Sequence, residues 1–302
     1  MNNFGEKDID PKQVIFQILS LAKKYSLEER KQLTLSFSGW EPTLNKNLEK
    51  FISLAKKLEI WKIQIQTNGS LLFKNNSLYN RLLKAGLNEI FLAQHTHIDS
   101  TNKELWCFYK FQDFLDWIEF LKTQEKIPDI FLNIVVTQKN ISEIYDFIQV
   151  LVNTWFVDLL RNKLSLWFCQ PMGYAMKNKD EMLLDFDKNQ KNIISNIISL
   201  CEENNILLDF HYTSPPLCVL DYPEYNLEYN QLKRLELDDL ENKISQWNLE
   251  SFQFLWKEKT KYENCKKCKY NNYCLWFYKN YEQYLGKQKV QNFISDFIKN
   301  ET

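Results

Sequence analysis

From Leu33 to Tyr212 short apolar segments alternate with longer amphipathic ones, and this alternation restricts the fold more than any other feature of the chain. Leu33–Phe37 is apolar and extended in character. Leu44, Leu48, Phe51, Ile52, Ala55 and Leu58 then recur at helical spacing. Lys62–Thr67 alternates, with Ile63 and Ile65 on one face, and closes at the turn pair Asn68-Gly69. A helix is expected from about Leu78 to Ala85, ended by Gly86. The series continues with a strand at Glu89–Gln94, a helix at Phe108–Lys126 and a strand at Ile130–Thr137. A helix at Ile141–Val152, a strand at Leu164–Cys169, a helix at Asp185–Asn204 and a strand at Ile206–Tyr212 complete it. Ahead of the first strand, Asp10-Pro11 opens a helix that runs to about Tyr25.

Strands separated by helices of this length imply βαβ units, a parallel sheet and right-handed connections. The fold class is therefore α/β. Such a sheet curls into a full or partial barrel or stays open and doubly wound, and periodicity does not separate the two. After Tyr212 the pattern breaks at Ser214-Pro215-Pro216-Leu217-Cys218. Tyr222–Asn264 is polar, read as irregular and then helical, and an amphipathic helix is expected near Val290–Lys299. We expect an α/β domain over 1–212 and a small cysteine-rich domain over 213–302.

The 302 residues, 44% of them hydrophobic, suffice for one large core and a satellite. A net charge of −1 without a basic block gives no footing for nucleic acid. No run of eighteen apolar residues offers a membrane span, and the polar, acidic Met1–Pro11 is no signal peptide. A cytoplasmic location is expected. Seven cysteines in a reducing compartment point to metal or buried thiols rather than disulfides.

Three of them form Cys265-x2-Cys268-x5-Cys274. Thiolates so spaced reach one soft metal centre, which wants a fourth ligand. Cys218 is our choice, because the preceding proline pair favours an exposed, rigid loop. Lys261, Lys266, Lys267 and Lys269 surround the group and suit a negatively charged centre. Spacing leaves zinc and iron–sulfur both open. Cys107, Cys169 and Cys201 stand in apolar contexts and read as buried thiols. His95 and His97 flank Thr96, so a two-histidine metal site competes with the commoner structural role.

A second group falls on strand ends, where β/α barrels gather their active sites. It comprises Ser38–Leu44, Thr67-Asn68-Gly69, Gln94–His97, Asn133 and Pro171-Met172-Gly173. Each has a plain alternative: Glu41-Pro42-Thr43 suits a helix start, and Asn68-Gly69 a common turn.

Ser38-Gly39-Trp40-Glu41-Pro42-Thr43-Leu44 resembles the Ser-Gly-Gly-Glu-Pro-Thr-Leu loop after the second barrel strand of radical S-adenosylmethionine (SAM) proteins. The resemblance extends over about residues 33 to 286 and implies a partial (β/α)6-type barrel. It implies that Gly39, Glu41 and Pro42 contact the methionyl amine, with Ser38 beside them. By the same resemblance Thr67, Asn68, Gln94 and Asn133 lie near SAM, and Pro171 and Gly173 border the adenine. The tail, with Pro216-Leu217-Cys218, the three-cysteine motif, Tyr281, Tyr284 and Gly286, is similar to the auxiliary-cluster (SPASM or twitch-like) domain of peptide-modifying members. This implies a 4Fe–4S auxiliary cluster on Cys218, Cys265, Cys268 and Cys274, with zinc as the alternative metal.

The chain departs from the family pattern in places. Trp40 replaces a glycine, so its indole would crowd the SAM amine or fill vacant space. Leu275-Trp276 stands where a glycine is usual. No cysteine precedes Cys107, whereas the family carries a C-x3-C-x2-C loop after its first strand. Aligned backwards, the helix after Asp10 matches the one between the first and second strands. The first strand is thus expected to be missing, leaving a parallel edge for a second chain to cover. The expected function is peptide or protein modification, by an enzyme that is incomplete in this sequence or depends on another chain for the catalytic cluster. A non-catalytic subunit that binds a peptide or partner is the alternative. Without the resemblance, a zinc-stabilised α/β binding protein remains.

Overall fold

A computed structural model describes residues 10–39, 41–160, 164–211, 215–226, 230, 259–272, 274 and 277–300. The expectations for Trp40, for Leu275-Trp276 and for most of the polar segment after Asn226 fall outside the described residues.

Helix α1 (Pro11–Lys24) begins as its sequence dictates: Pro11 takes the first position and Asp10 accepts from the Lys12 amide at 2.9 Å. A short α2 (Leu27–Arg30) starts from a capping box, in which Ser26 and Glu29 bond each other's backbone. The alternating part follows as β1 (Thr34–Phe37), α3 (Leu48–Lys57), β2 (Lys62–Thr67), α4 (Asn76–Ala85) and β3 (Glu89–Ala93). It continues through α5 (Asp99–Glu104), α6 (Phe111–Leu121), β4 (Asp129–Val136), α7 (Ile141–Val152), α8 (Phe156–Leu160) and β5 (Leu164–Phe168). Then come α9 (Gly173–Lys177), α10 (Lys179–Met182), α11 (Lys188–Glu203) and β6 (Leu208–Phe210). In the tail, β7 (Lys259–Thr260) pairs antiparallel with β8 (Phe277–Tyr278), ahead of α12 (Lys279–Leu285) and α13 (Lys287–Asn300).

The six strands form one parallel sheet in the order β1-β2-β3-β4-β5-β6, and the sheet is not closed. A doubly wound sheet reverses its strand order at a switch point. Here the order never reverses, which selects the partial barrel over its rival. Ser36 lies opposite Gln64, Gln64 opposite Glu89, and Ser165 opposite Asp209.

Some boundaries differ from expectation. The helix read as Phe108–Lys126 spans Phe111–Leu121, and α5 precedes it. Of α5 only Asn102 is buried, so apolar periodicity could not reveal it. The last strand shortens to Leu208–Phe210.

The described residues group into two compact units, 1–94 with 98–132, and 95–97 with 133–302. In the first, Phe73, Phe114 and Trp117 pack with ring centroids 5.2–5.4 Å from Phe73, and Tyr79 meets Trp117 edge-on. In the second, α11 packs on α7, and Phe168 meets Phe210 edge-on at 5.4 Å.

Gly69 turns at φ +77° after β2, and a Cβ there would lie 2.2 Å from the Phe73 ring. Gly39, at φ +141°, has nothing within 4 Å of such a Cβ. Gly69→Ala is therefore expected to cost about 2–4 kcal/mol, from strain plus overpacking, and Gly39→Ala about 1 kcal/mol, from strain alone. Urea midpoints of the two variants decide this. Equal losses would contradict the packing at Phe73.

Candidate functional site

Two clusters of functional residues stand out, one in each unit. In the first unit Ser38 and Gly39 are exposed beyond the end of β1. Glu41 follows in extended conformation and caps the 3-10 turn Pro42–Leu44. Its carboxylate accepts from the Thr43 amide at 3.1 Å and from the Thr43 hydroxyl. It also accepts from the Thr67 hydroxyl at 2.7 Å and the Asn68 amide at 2.9 Å. One charged side chain thus staples the loop after β1 to the loop after β2. The second loop locks itself further, as Thr67 Oγ1 accepts from the Gly69 amide at 3.0 Å and Asn68 Oδ1 from the Ser70 amide at 3.0 Å. Three of the four donors to Glu41 reach Oε1 and one reaches Oε2. The room left for a ligand ammonium is therefore at Oε2.

Gln94 is fully buried and accepts from the Tyr109 hydroxyl. Cys107 lies beside it, with Sγ 3.8 Å from the Ala93 carbonyl. Burial pushes the Cys107 thiol up to about 12, the Tyr109 hydrogen bond opposes the rise, and the Glu41 charge adds to it. Cys107 and Tyr109 are thus buried groups within electrostatic range of Glu41.

In the second unit His95 is buried, and its Nδ1 accepts from the Val135 amide at 3.2 Å. Burial pushes its pKa down to about 4, so the ring is neutral at physiological pH. The bond from Val135 fits the structural role rather than a two-histidine metal site. Asn140, overlooked in the sequence, ties this corner together. Its amide donates to the carbonyls of His95 at 3.0 Å and Val135 at 2.9 Å, and its oxygen accepts from the Thr137 amide at 2.8 Å. The short polar run Thr137-Gln138-Lys139-Asn140 between a strand and a helix was the available signal. Asn133 is 5% exposed, and its Oδ1 has no partner among the described residues.

The loop after β5 is held by α12. Asn280 donates to the Pro171 carbonyl at 3.0 Å, Tyr281 to the Cys169 carbonyl at 3.3 Å and Tyr284 to the Leu183 carbonyl at 3.1 Å. Pro171 is buried, whereas Gly173 is exposed at the start of α9. Asn280 thus anchors the segment that the resemblance assigned to the adenine, and the tail tyrosines hold the chain on either side of it.

The tail cysteines lie on tight turns: the Cys268 amide bonds the Cys265 carbonyl, and the Cys274 amide bonds the Tyr270 carbonyl. Cys218 lies in electrostatic range of all three other thiols, and burial followed by their charges raises its pKa. Pro215 and Pro216 are buried, which corrects the expected exposed loop: Leu217, Val219 and Leu220 draw the segment into the core. A cavity of ≈ 580 Å³ opens beside Cys218, with Lys191, Tyr222, Phe293 and Asp296 in its wall. Among the described residues no three His, Cys, Asp or Glu side chains converge as a single-ion site.

Residues 13–151 match the family model of the radical SAM superfamily. That match covers somewhat less than half of the chain. Over 181 residues, 59% of this chain and 54% of the relative, it is 27% identical to a probable GTP 3',8-cyclase of Saccharolobus islandicus (strain L.S.2.15 / Lassen #1). A protein of the same description from Saccharolobus solfataricus is 26% identical over the same shares. One from Sulfolobus acidocaldarius is 33% identical over 115 residues, 38% of this chain and 36% of the relative. The chain spans about half the length of the curated relatives it matches. No described helix is long and apolar enough to cross a membrane.

Radical SAM domains use SAM and a 4Fe–4S cluster. Within the matched segment the stapled loops carry groups that suit the polar end of SAM: backbone groups, a threonine, an asparagine and a carboxylate. The four tail thiols fit a sulfur-ligated cluster by donor type.

His95 generates a pH dependence. With its folded pKa near 4 and an unfolded value of about 6.5, the unfolded chain binds more protons between those limits. Stability is thus held above pH 6.5 and lost as pH falls towards 4, by roughly 3 kcal/mol from this residue. His95→Gln, whose amide oxygen can still accept from Val135, is expected to flatten that fall. Urea unfolding at pH 7 and 4.5 measures it, and an unchanged slope would refute the assignment.

Proposed function

We propose that this chain is the SAM-binding and auxiliary-cluster part of an enzyme that modifies a small molecule by radical SAM chemistry. The observation that carries the reading is the Glu41 staple, which arranges the loops after β1 and β2 inside the segment that matches the radical SAM family model. Gly39, Glu41 Oε2 and Asn68 hold the methionyl end, with Ser38, Pro42 and Thr67 around it. Gln94 supports the site from below through Tyr109. Cys218, Cys265, Cys268 and Cys274 hold a second cluster, and the nearness of Cys218 to the other three sulfurs supports that set. Bound SAM and a reduced cluster supply one-electron chemistry that no side chain can provide. The chain's own residues bind, orient and shield.

The relatives are described as probable GTP 3',8-cyclases, which favours a purine nucleotide over a peptide as substrate. A second reading, peptide modification, has the tail motif with the upstream Cys218 in its favour. No cysteine occurs among residues 1–106, so in this proposal the catalytic cluster's ligands lie outside these 302 residues. Those ligands belong to a part of the protein outside these residues or to a second chain paired along the β1 edge; without them the protein is a binding subunit.

Three measurements test the proposal. Calorimetry should detect SAM binding that Glu41→Ala abolishes. Anaerobically reconstituted protein should carry about four irons per chain, and Cys268→Ser should lose its charge-transfer absorbance. Under strong reductant the 302-residue chain alone should release no 5′-deoxyadenosine. Zinc in place of iron, unchanged iron in Cys268→Ser, or nucleoside released by the chain alone would each overturn the corresponding part.

A further inference from the structure

The face of β4–β6 away from the helices carries a row of polar side chains that the cofactor assignment does not absorb. Leu164, Leu166 and Phe168 of β5 are at most 1% exposed and point into the core, so Ser165 and Trp167 face the other way. Ser165 pairs in register with Asp209 and donates to its carboxylate. The Cys169 amide bonds the Val136 carbonyl at 3.0 Å, the same pattern by which the His211 amide bonds Leu166 opposite Phe210. Val136 therefore lies opposite Phe168, and Asn133 opposite Ser165. Asn133, Ser165 and Asp209 form one line across three adjacent strands, with Trp167 and His211 in the next line.

This row has acceptors without donors. The Asn133 oxygen is buried and unpartnered. Ser165 spends its proton on Asp209 and accepts from the Trp167 ring nitrogen at 3.1 Å. Among the described residues Asp209 receives no hydrogen bond but the one from Ser165, and no cation offsets its burial, which raises its pKa. His211 supplies no charge, because burial holds its pKa near 4. It lies flat on Trp167 instead, 3.9 Å between centroids and 20° between planes. An uncompensated carboxylate beside an orphan amide, next to an aromatic shelf, is costly unless a ligand supplies the missing protons.

We propose that Asn133, Ser165 and Asp209 form a substrate subsite for a planar group bearing several N–H donors, a guanidinium or the amino edge of a heterocycle. The inference deepens the proposed function by naming the chemical class its substrate must display, and it rests on that reading. Asp209 takes two N–H groups side by side, as carboxylates do with planar donors. Rotating the Asn133 amide about its last torsion brings its oxygen within reach of a third. Trp167 covers one face of the ligand plane.

Titration calorimetry of the full chain with agmatine and with guanosine tests this and separates the two sources of the chemistry. At least one should bind, and Asp209→Asn should weaken it by about tenfold or more while leaving SAM affinity unchanged. Circular dichroism establishes that the variant is folded. Trp167→Leu, in the adjoining line and without the charge change, should weaken the same probe. Binding of agmatine alone supports a guanidinium substrate, and of guanosine alone an aminopurine. If SAM binds and neither probe does, or if Asp209→Asn binds the probe unchanged, the subsite is refuted while the proposed function stands. If a probe binds in an Asp209-dependent manner and SAM does not, the proposed function fails and the subsite survives.

Discussion

The arrangement of the first unit depends on one carboxylate. Strand pairing places the ends of β1 and β2 side by side, but it does not position the loops beyond them. Glu41 does so by collecting two backbone amides and two hydroxyls from both loops. A partly buried charge is tolerable only when donors surround it, and charge-assisted bonds are about twice as strong as neutral ones. The same demand that fixes Glu41 therefore fixes Thr43, Thr67 and Asn68. Gln94 and Tyr109 then close the space beneath with a bond of their own.

Much of this fold was legible because its strands and helices announce themselves locally. Ile63 and Ile65 are at most 1% exposed, as the alternation of Lys62–Thr67 required, and α1, α4 and α7 start within two residues of where caps and periodicity placed them. The choice between barrel and doubly wound sheet was not legible, since strand order is a long-range property that no window of sequence contains. The site was legible as residue types at strand ends, not as bonds. Nothing in the sequence shows that Glu41 spends most of its capacity on Thr43, Thr67 and Asn68, or that Asn280 and the tail tyrosines reach Pro171, Cys169 and Leu183. Those contacts join residues up to 112 positions apart.

The cysteine cluster shows the same division. Local spacing identifies Cys265, Cys268 and Cys274, while the nearness of Cys218 follows only from the folded chain. The lysines around the motif looked like counter-charges, yet several have other partners. Lys266 pairs with Glu263 at 2.7 Å, Lys261 donates to the Asn271 carbonyl at 2.9 Å, and Lys269 lies over Tyr270. The cation in range of Cys218 is Lys191, from a helix read as core. It stands over Phe293 in the wall of the adjoining cavity, half-desolvated, where its charge is least screened.

Two polar rows on this sheet clarify each other. Across β1–β3, Ser36 donates to Gln64, Gln64 to Glu89, and Lys62 to Glu89 at 2.9 Å, with Asp129 3.8 Å from the same ammonium. Every acceptor there has a donor, and the buried carboxylate has its cation. That row is finished by the protein itself and needs nothing from outside. Across β4–β6 the geometry repeats, with a serine beside a carboxylate in register, but among the described residues no lysine or arginine is in range of Asp209 and the Asn133 oxygen has no donor. Folding stability alone would favour completing the second row like the first, since an unpaired buried acceptor costs about 1–3 kcal/mol. A chain that completes one row and leaves the other open distinguishes a structural ladder from a binding surface, and the missing charge gives the sign of what binds there.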